Sequence, residues 1–85
     1  MTLDDAIWSY AEEFSDTILS NASARSVTPV IEEIAEKMTF EMYKRDRRKV
    51  MDKLGVIMML KIADGKITQA KWDKIQKGLT TLLRL

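Results

Sequence analysis

Apolar residues recur at helical spacing in four segments of the chain. In the first, Leu3, Ile7, Tyr10, Phe14 and Ile18 fall within about 80° of arc when each residue advances 100°, the stripe of an amphipathic helix. Thr2 stands where an N-cap belongs, and Asp5 three positions on can answer it, an acidic form of the capping box. Trp8 and Leu19 lie off this stripe, near Glu12 and Ser15. Either a broad bundle face wraps around them or they form an apolar contact open to a partner.

From Ser20 to Val27 the period is lost and the chain reads as a loop. Thr28 and Pro29 then restart helix, as a capping hydroxyl and a proline at the first helical position, with Glu32 and Glu33 near the positive end of the dipole. Val30, Ile31, Ile34, Ala35, Met38 and Met42 form the second stripe. Phe40 and Tyr43 are off it and in phase with Arg47, Val50, Leu54 and Ile57. An unbroken helix would carry two apolar stripes about 160° apart, so a break near Lys44 to Asp46 is expected, with Asp46 capping the next helix.

Val50, Met51, Leu54, Val56, Ile57, Met58, Met59, Leu60 and Ile62 cover nearly the whole circumference of the third helix. A helix apolar all round is expected to be buried all round. Three other short helices can cover only part of it, leaving Val56 and Met59 for a second copy or a partner, with Val50, Leu54 and Ile57 facing the core. The neighbouring methionines suit a contact that adapts its shape. Gly65 is placed for the left-handed turn after this helix. Thr68 caps the fourth, and Ile67 before it can staple onto Trp72. Trp72, Ile75, Leu79, Leu82 and Leu83 form its stripe; Lys74, Lys77, Thr81 and Arg84 point away. The short connection predicts that the third and fourth helices are antiparallel neighbours. The expected fold is all-α: one domain over 1–85, a small antiparallel bundle of three or four helices.

Length makes such a domain marginal: 85 residues hide only roughly 60 to 65% of the surface the unfolded chain exposes. Charge is segregated along the sequence. Residues 1–43 carry two cations, Arg25 and Lys37, against nine acids; residues 44–85 carry twelve cations against four acids. Acidic helices can pack beside basic ones, or the basic half can face something acidic. The acidic start without an apolar core, and a longest apolar run of only Val56 to Leu60, predict neither a signal peptide nor a membrane span and hence a cytoplasmic protein.

Chemistry is narrowed by the absence of Cys and His, which removes disulfides, thiolate sites and the commonest metal ligand and general base. No cofactor and no enzymatic activity are expected. Asp64 to Thr68 is similar to the middle of a calcium loop, but Leu60, Ile62 and Lys71 occupy the carboxylate positions. Glu12, Glu13, Glu32, Glu33, Glu36 and Glu41 lack the Glu-x-x-His pairing of a di-iron bundle. The densest basic stretch, Lys44, Arg45, Arg47, Arg48 and Lys49, with Lys53 beyond it, could bind phosphates. Tyr43 is the one aromatic residue adjoining it, and no nucleic-acid fingerprint is present.

Two resemblances bear on function. Ala63-Asp64-Gly65-Lys66-Ile67 resembles the turn of TerB-like helical domains; where these carry an acid the chain has Lys71, so no metal-linked role is implied. Met51-Asp52-Lys53-Leu54, the apolar helix, and Lys66-Ile67 opening the last helix resemble the C-terminal half of enterocin- and pediocin-type bacteriocin immunity proteins. That resemblance implies a small cytosolic four-helix bundle of bacterial or phage type, which binds another protein and guards a sugar-transport permease once a bacteriocin has docked. Trp8, Leu19, Val56, Met59, Lys74, Lys77 and Arg84 are the expected partner-binding residues. A phage-type inhibitor of a host complex, or a nucleic-acid module using 44–53, is the alternative, and a homodimer is expected from the third helix.

Overall fold

The computed structural model describes residues 2–85 as four helices: α1 (Leu3–Ser20), α2 (Thr28–Glu41), α3 (Lys44–Ala63) and α4 (Gln69–Leu83), with no strand among the described residues. Local signals placed several ends. The Thr2 hydroxyl accepts from the Asp5 amide while the Asp5 carboxylate accepts from the Thr2 amide, the full capping box. Thr68 accepts from the Lys71 amide at the start of α4. Gly65 turns the chain after α3 at φ 73°, which side chains with a Cβ rarely adopt.

Three ends differ from the sequence reading. Val27, not Thr28, is the N-cap of α2 and makes no side-chain capping bond itself; Thr28 is already helical, its amide donating to the Ser26 hydroxyl at 3.3 Å, with Pro29 just inside the helix start. The break between α2 and α3 falls at Met42 and Tyr43, where both residues are extended. Asp46 therefore lies inside the first turn of α3 and favours its positive end by charge rather than as a cap.

Helix order alternates in direction, yet the closest pairs are α1 with α3 and α2 with α4, with a smaller contact between α1 and α2. Lys37 reaches back to Glu13, and Tyr10 to Glu41, so α1 and α2 run antiparallel. Lys53 meets Trp8, while Ile57 and Leu60 lie beside Glu12 and Ser15, so α3 runs parallel to α1. Similarly Lys71 lies near Val27 and Gly78 against Ile31, so α4 runs parallel to α2. Consecutive α3 and α4 are thus antiparallel without forming one of the close pairs, which corrects their expected packing. Gly78 packs against Ile31, and a Cβ there would lie 2.6 Å from Ile31 Cδ1, so that side chain would have to swing aside.

This pairing sets each acidic helix against a basic one: α1 has no base and α3 has seven, while α2 is mainly acidic and α4 mainly basic. The ion pairs among the described residues, Lys37 with Glu13 and Glu41 and Arg45 with Asp46, join neither α1 to α3 nor α2 to α4. One core runs through all four helices and includes Phe14, Ile18, Ile34, Met38, Leu54, Met58, Trp72, Ile75 and Leu79. Ile67 and Trp72 are both buried in it, as the staple requires. Leu3 and Leu82, read as core, are exposed at helix ends where no neighbour reaches.

Among the described residues Ser15 is the one buried polar side chain of the core, and its hydroxyl has no hydrogen-bond partner there. Burying an unpaired hydroxyl costs about 1 kcal/mol or more. Ser15→Ala is accordingly expected to raise stability by about 1 kcal/mol, read as a higher denaturation midpoint; a lower midpoint would show that the hydroxyl is satisfied in solution.

Candidate functional site

The inner face of α3 is apolar for the core: Val50, Met51, Leu54 and Met58 are buried, with Ile57 half-buried at the edge. Met58 rather than Ile57 continues the core line, because the helix meets the bundle one position further round than the Val50, Leu54, Ile57 stripe implied. The helix is not buried all round. Val56, Met59 and Leu60 are 50%, 70% and 64% exposed. At 100° per residue they span about 100° of arc opposite Leu54. Two neighbouring turns of one helix therefore present large apolar side chains that nothing in the chain covers.

Toward α1 this face passes into a seam of about 380 Å³ lined by Leu60, Ile57 and Lys61 with Glu12, Ser15, Asp16 and Asp64. Further along the same pair of helices, Trp8 is 37% exposed, and the Lys53 ammonium lies 5.1 Å from its ring centroid, a cation–π contact. Leu19 is half-buried against the core, so the bundle wraps around it and it is not an open contact. Lys74 and Lys77 are exposed on α4 and Arg84 at its C-cap, and α4 belongs to the other helix pair. The seven partner-binding residues expected from sequence thus divide. Val56, Met59 and Trp8 belong to the α1–α3 side, and the three cations to α4. Leu60 was missed as a site residue because an all-round apolar pattern does not say which positions remain uncovered.

The basic stretch divides too. Arg47 turns inward: its Nε donates to the Met38 carbonyl at 3.0 Å and its Nη2 to the Thr39 carbonyl at 2.9 Å, closing the C-terminal end of α2. Lys53 is engaged with Trp8. Lys44, Arg45, Arg48 and Lys49 remain exposed on the first turns of α3. Lys71, the residue at a position where TerB-like turns carry an acid, bonds the Ala22 and Ala24 carbonyls and ties the α1–α2 loop to α4. Among the described residues no three acidic, Cys or His side chains converge as a metal site, and no helix is long and apolar enough to cross a membrane.

A polar cluster joins α1 to α2. The Tyr10 hydroxyl donates to Glu41 at 3.1 Å, and Lys37 Nζ lies 2.8 Å from Glu13 and 4.0 Å from Glu41. Burial, then the hydrogen bond and charge of Glu41, raise the Tyr10 hydroxyl above its ordinary value of 10.0. The bond to Glu13 raises Lys37 above 10.5. Both groups hold their proton more tightly when folded, so their contribution is complete below about pH 10 and is lost as pH rises through the raised values. The melting temperature is expected to fall above pH 10, and Tyr10→Phe to flatten part of that fall; an unchanged profile in Tyr10→Phe would remove the hydroxyl from this linkage.

The fold and these surfaces define a small all-α bundle with acidic helices beside basic ones and apolar side chains left exposed on the outer face of α3. Comparison with family models, curated proteins and solved structures finds no match to this chain.

Proposed function

We propose that this chain is a non-enzymatic, cytoplasmic protein that acts by binding another protein through the outer face of α3. The observation that carries this reading is the exposure of Val56, Met59 and Leu60 on successive turns, flanked by Trp8, in a bundle whose other large apolar side chains are mostly buried. Leaving such a patch in water is unfavourable, and covering it supplies the non-directional part of a docking energy. The methionine at its centre allows the contact to adapt.

A second copy of the chain is the first occupant. A two-fold axis near Val56 would set two α3 helices antiparallel and bring Lys49 of one copy toward Ala63 and Asp64 of the other, so that charge supports the apolar contact. Within the same class, the resemblance to bacteriocin immunity proteins supports a role in which the face docks on a permease-bound bacteriocin complex, or, as a phage-type inhibitor, on a host machine.

Sedimentation at micromolar concentration tests the reading. The expected result is a dimer that Met59→Lys splits without unfolding, its circular dichroism remaining that of a folded helical chain. A 9.8 kDa species at all concentrations refutes self-association. Expression in a strain sensitive to a pediocin-type bacteriocin tests the more specific role: the wild-type chain should confer survival and Met59→Lys should not.

A further inference from the structure

The two most exposed large apolar side chains among the described residues are elsewhere. Phe40 is 81% and Tyr43 76% exposed, both at the corner where α2 gives way to α3. They are three residues apart, so their Cα atoms are at most about 10 Å from one another. Neither is held by the core, and neither is needed to form the turn, which Arg47 closes from inside. Four exposed cations follow Tyr43 on α3. At 100° per residue, Lys44, Arg48, Arg45 and Lys49 cover a continuous outward arc of about 140° on the first two turns of α3. The Arg45 guanidinium lies 5.9 Å from the Tyr43 ring centroid. Of the nearest acids, Asp46 is largely buried, 3.7 Å from Arg45 Nε, and offsets part of that one charge, while Glu41 is engaged by Tyr10 and Lys37. Asp52, one turn on, ends the basic surface.

We infer that this corner binds single-stranded nucleic acid, with Phe40 and Tyr43 stacking on bases and Lys44, Arg45, Arg48 and Lys49 following the phosphates. Exposed aromatic faces within a base or two of each other, surrounded by cations, are what sequence-tolerant binding of single strands requires. A duplex keeps its base faces stacked inside and would leave both rings unused. An anionic membrane calls for a helix with one continuous apolar face, which neither α2 nor the start of α3 presents to solvent. The surface differs from the basic run read in sequence, because Arg47 and Lys53 drop out and Phe40 enters. It is also separate from the Val56, Met59, Leu60 face, so the two proposals stand or fall independently.

The test is fluorescence anisotropy with a labelled oligothymidylate of about 12 nucleotides, a length within the range one small domain covers. Binding is expected to weaken with salt at a log–log slope near −3, as about four phosphate contacts give on a single strand. Phe40→Ala and Tyr43→Ala should each weaken it by about tenfold, and Lys44→Glu with Arg48→Glu should abolish it. All four side chains are exposed, so unchanged circular dichroism and melting are expected to accompany the loss. Absence of binding at low salt overturns the inference. So does a duplex of the same length binding equally well with Phe40→Ala silent, which would leave only phosphate attraction. Equal capture by polyglutamate, or by phosphatidylserine vesicles in preference to the oligonucleotide, overturns it in favour of an acidic protein or a membrane surface.

Discussion

Replacing Trp72 by alanine is expected to lower the unfolding free energy by about 3 to 5 kcal/mol, the range for truncating a buried aromatic residue. Trp72 sits one turn inside α4, 4% exposed, in the same cluster as Ile67, so the substitution removes both the staple and a core anchor. For a domain whose whole stability is of order 5 to 15 kcal/mol, much of the population should unfold at room temperature. Lys74→Ala, two residues on and exposed, should change stability by less than about 0.5 kcal/mol. Chemical denaturation followed by far-ultraviolet circular dichroism measures both, and equal midpoints for the two variants would show that the wrong face of α4 has been placed inward.

The second large effect separates the two faces of α3. Leu54→Ala is expected to cost about 3 kcal/mol, because Leu54 is fully buried where the parallel α1–α3 pair meets the common core and its removal leaves a cavity. Val56→Ala, half exposed two residues away, should cost well under 1 kcal/mol of monomer stability. Measured below the concentration of self-association, that contrast defines the inner and outer faces. At higher concentration Val56→Ala should weaken any dimer, whereas an outer face without a partner leaves sedimentation unaltered.

Much of the candidate surface was legible before the fold was known, and for a clear reason. Val56 and Met59 lie far round the helix from any stripe that could reach a small bundle's core, and both are exposed. Phe40 was harder. Its phase with Val50 and Leu54 suggested a second buried stripe, but the chain breaks at Met42 and Tyr43, after which that phase has no meaning. Leu19 failed in the other direction: off the main stripe, it is nevertheless reached by the core. Arg47 gave no sign in sequence of its role, since the carbonyls it closes belong to residues eight and nine positions earlier, across a corner.

What the sequence by itself determined is whatever depends on neighbours within a turn or so: an all-α chain of three or four helices, the capping box of Thr2 and Asp5, the Thr68 cap, the Gly65 turn, and most of the inward positions of α1 and α4, Leu3 and Leu82 excepted. These rest on backbone geometry and hydrogen bonds that close over three or four residues. Only the tertiary structure decided that α1 lies with α3 and α2 with α4, that acidic helices therefore lie beside basic ones, and that Phe40, Tyr43 and Leu60 remain uncovered. Exposure is not a property of a residue or of its helix. It follows from which other helix arrives over it, and amphipathic stripes of similar width permit several pairings until the side chains of all four are packed together.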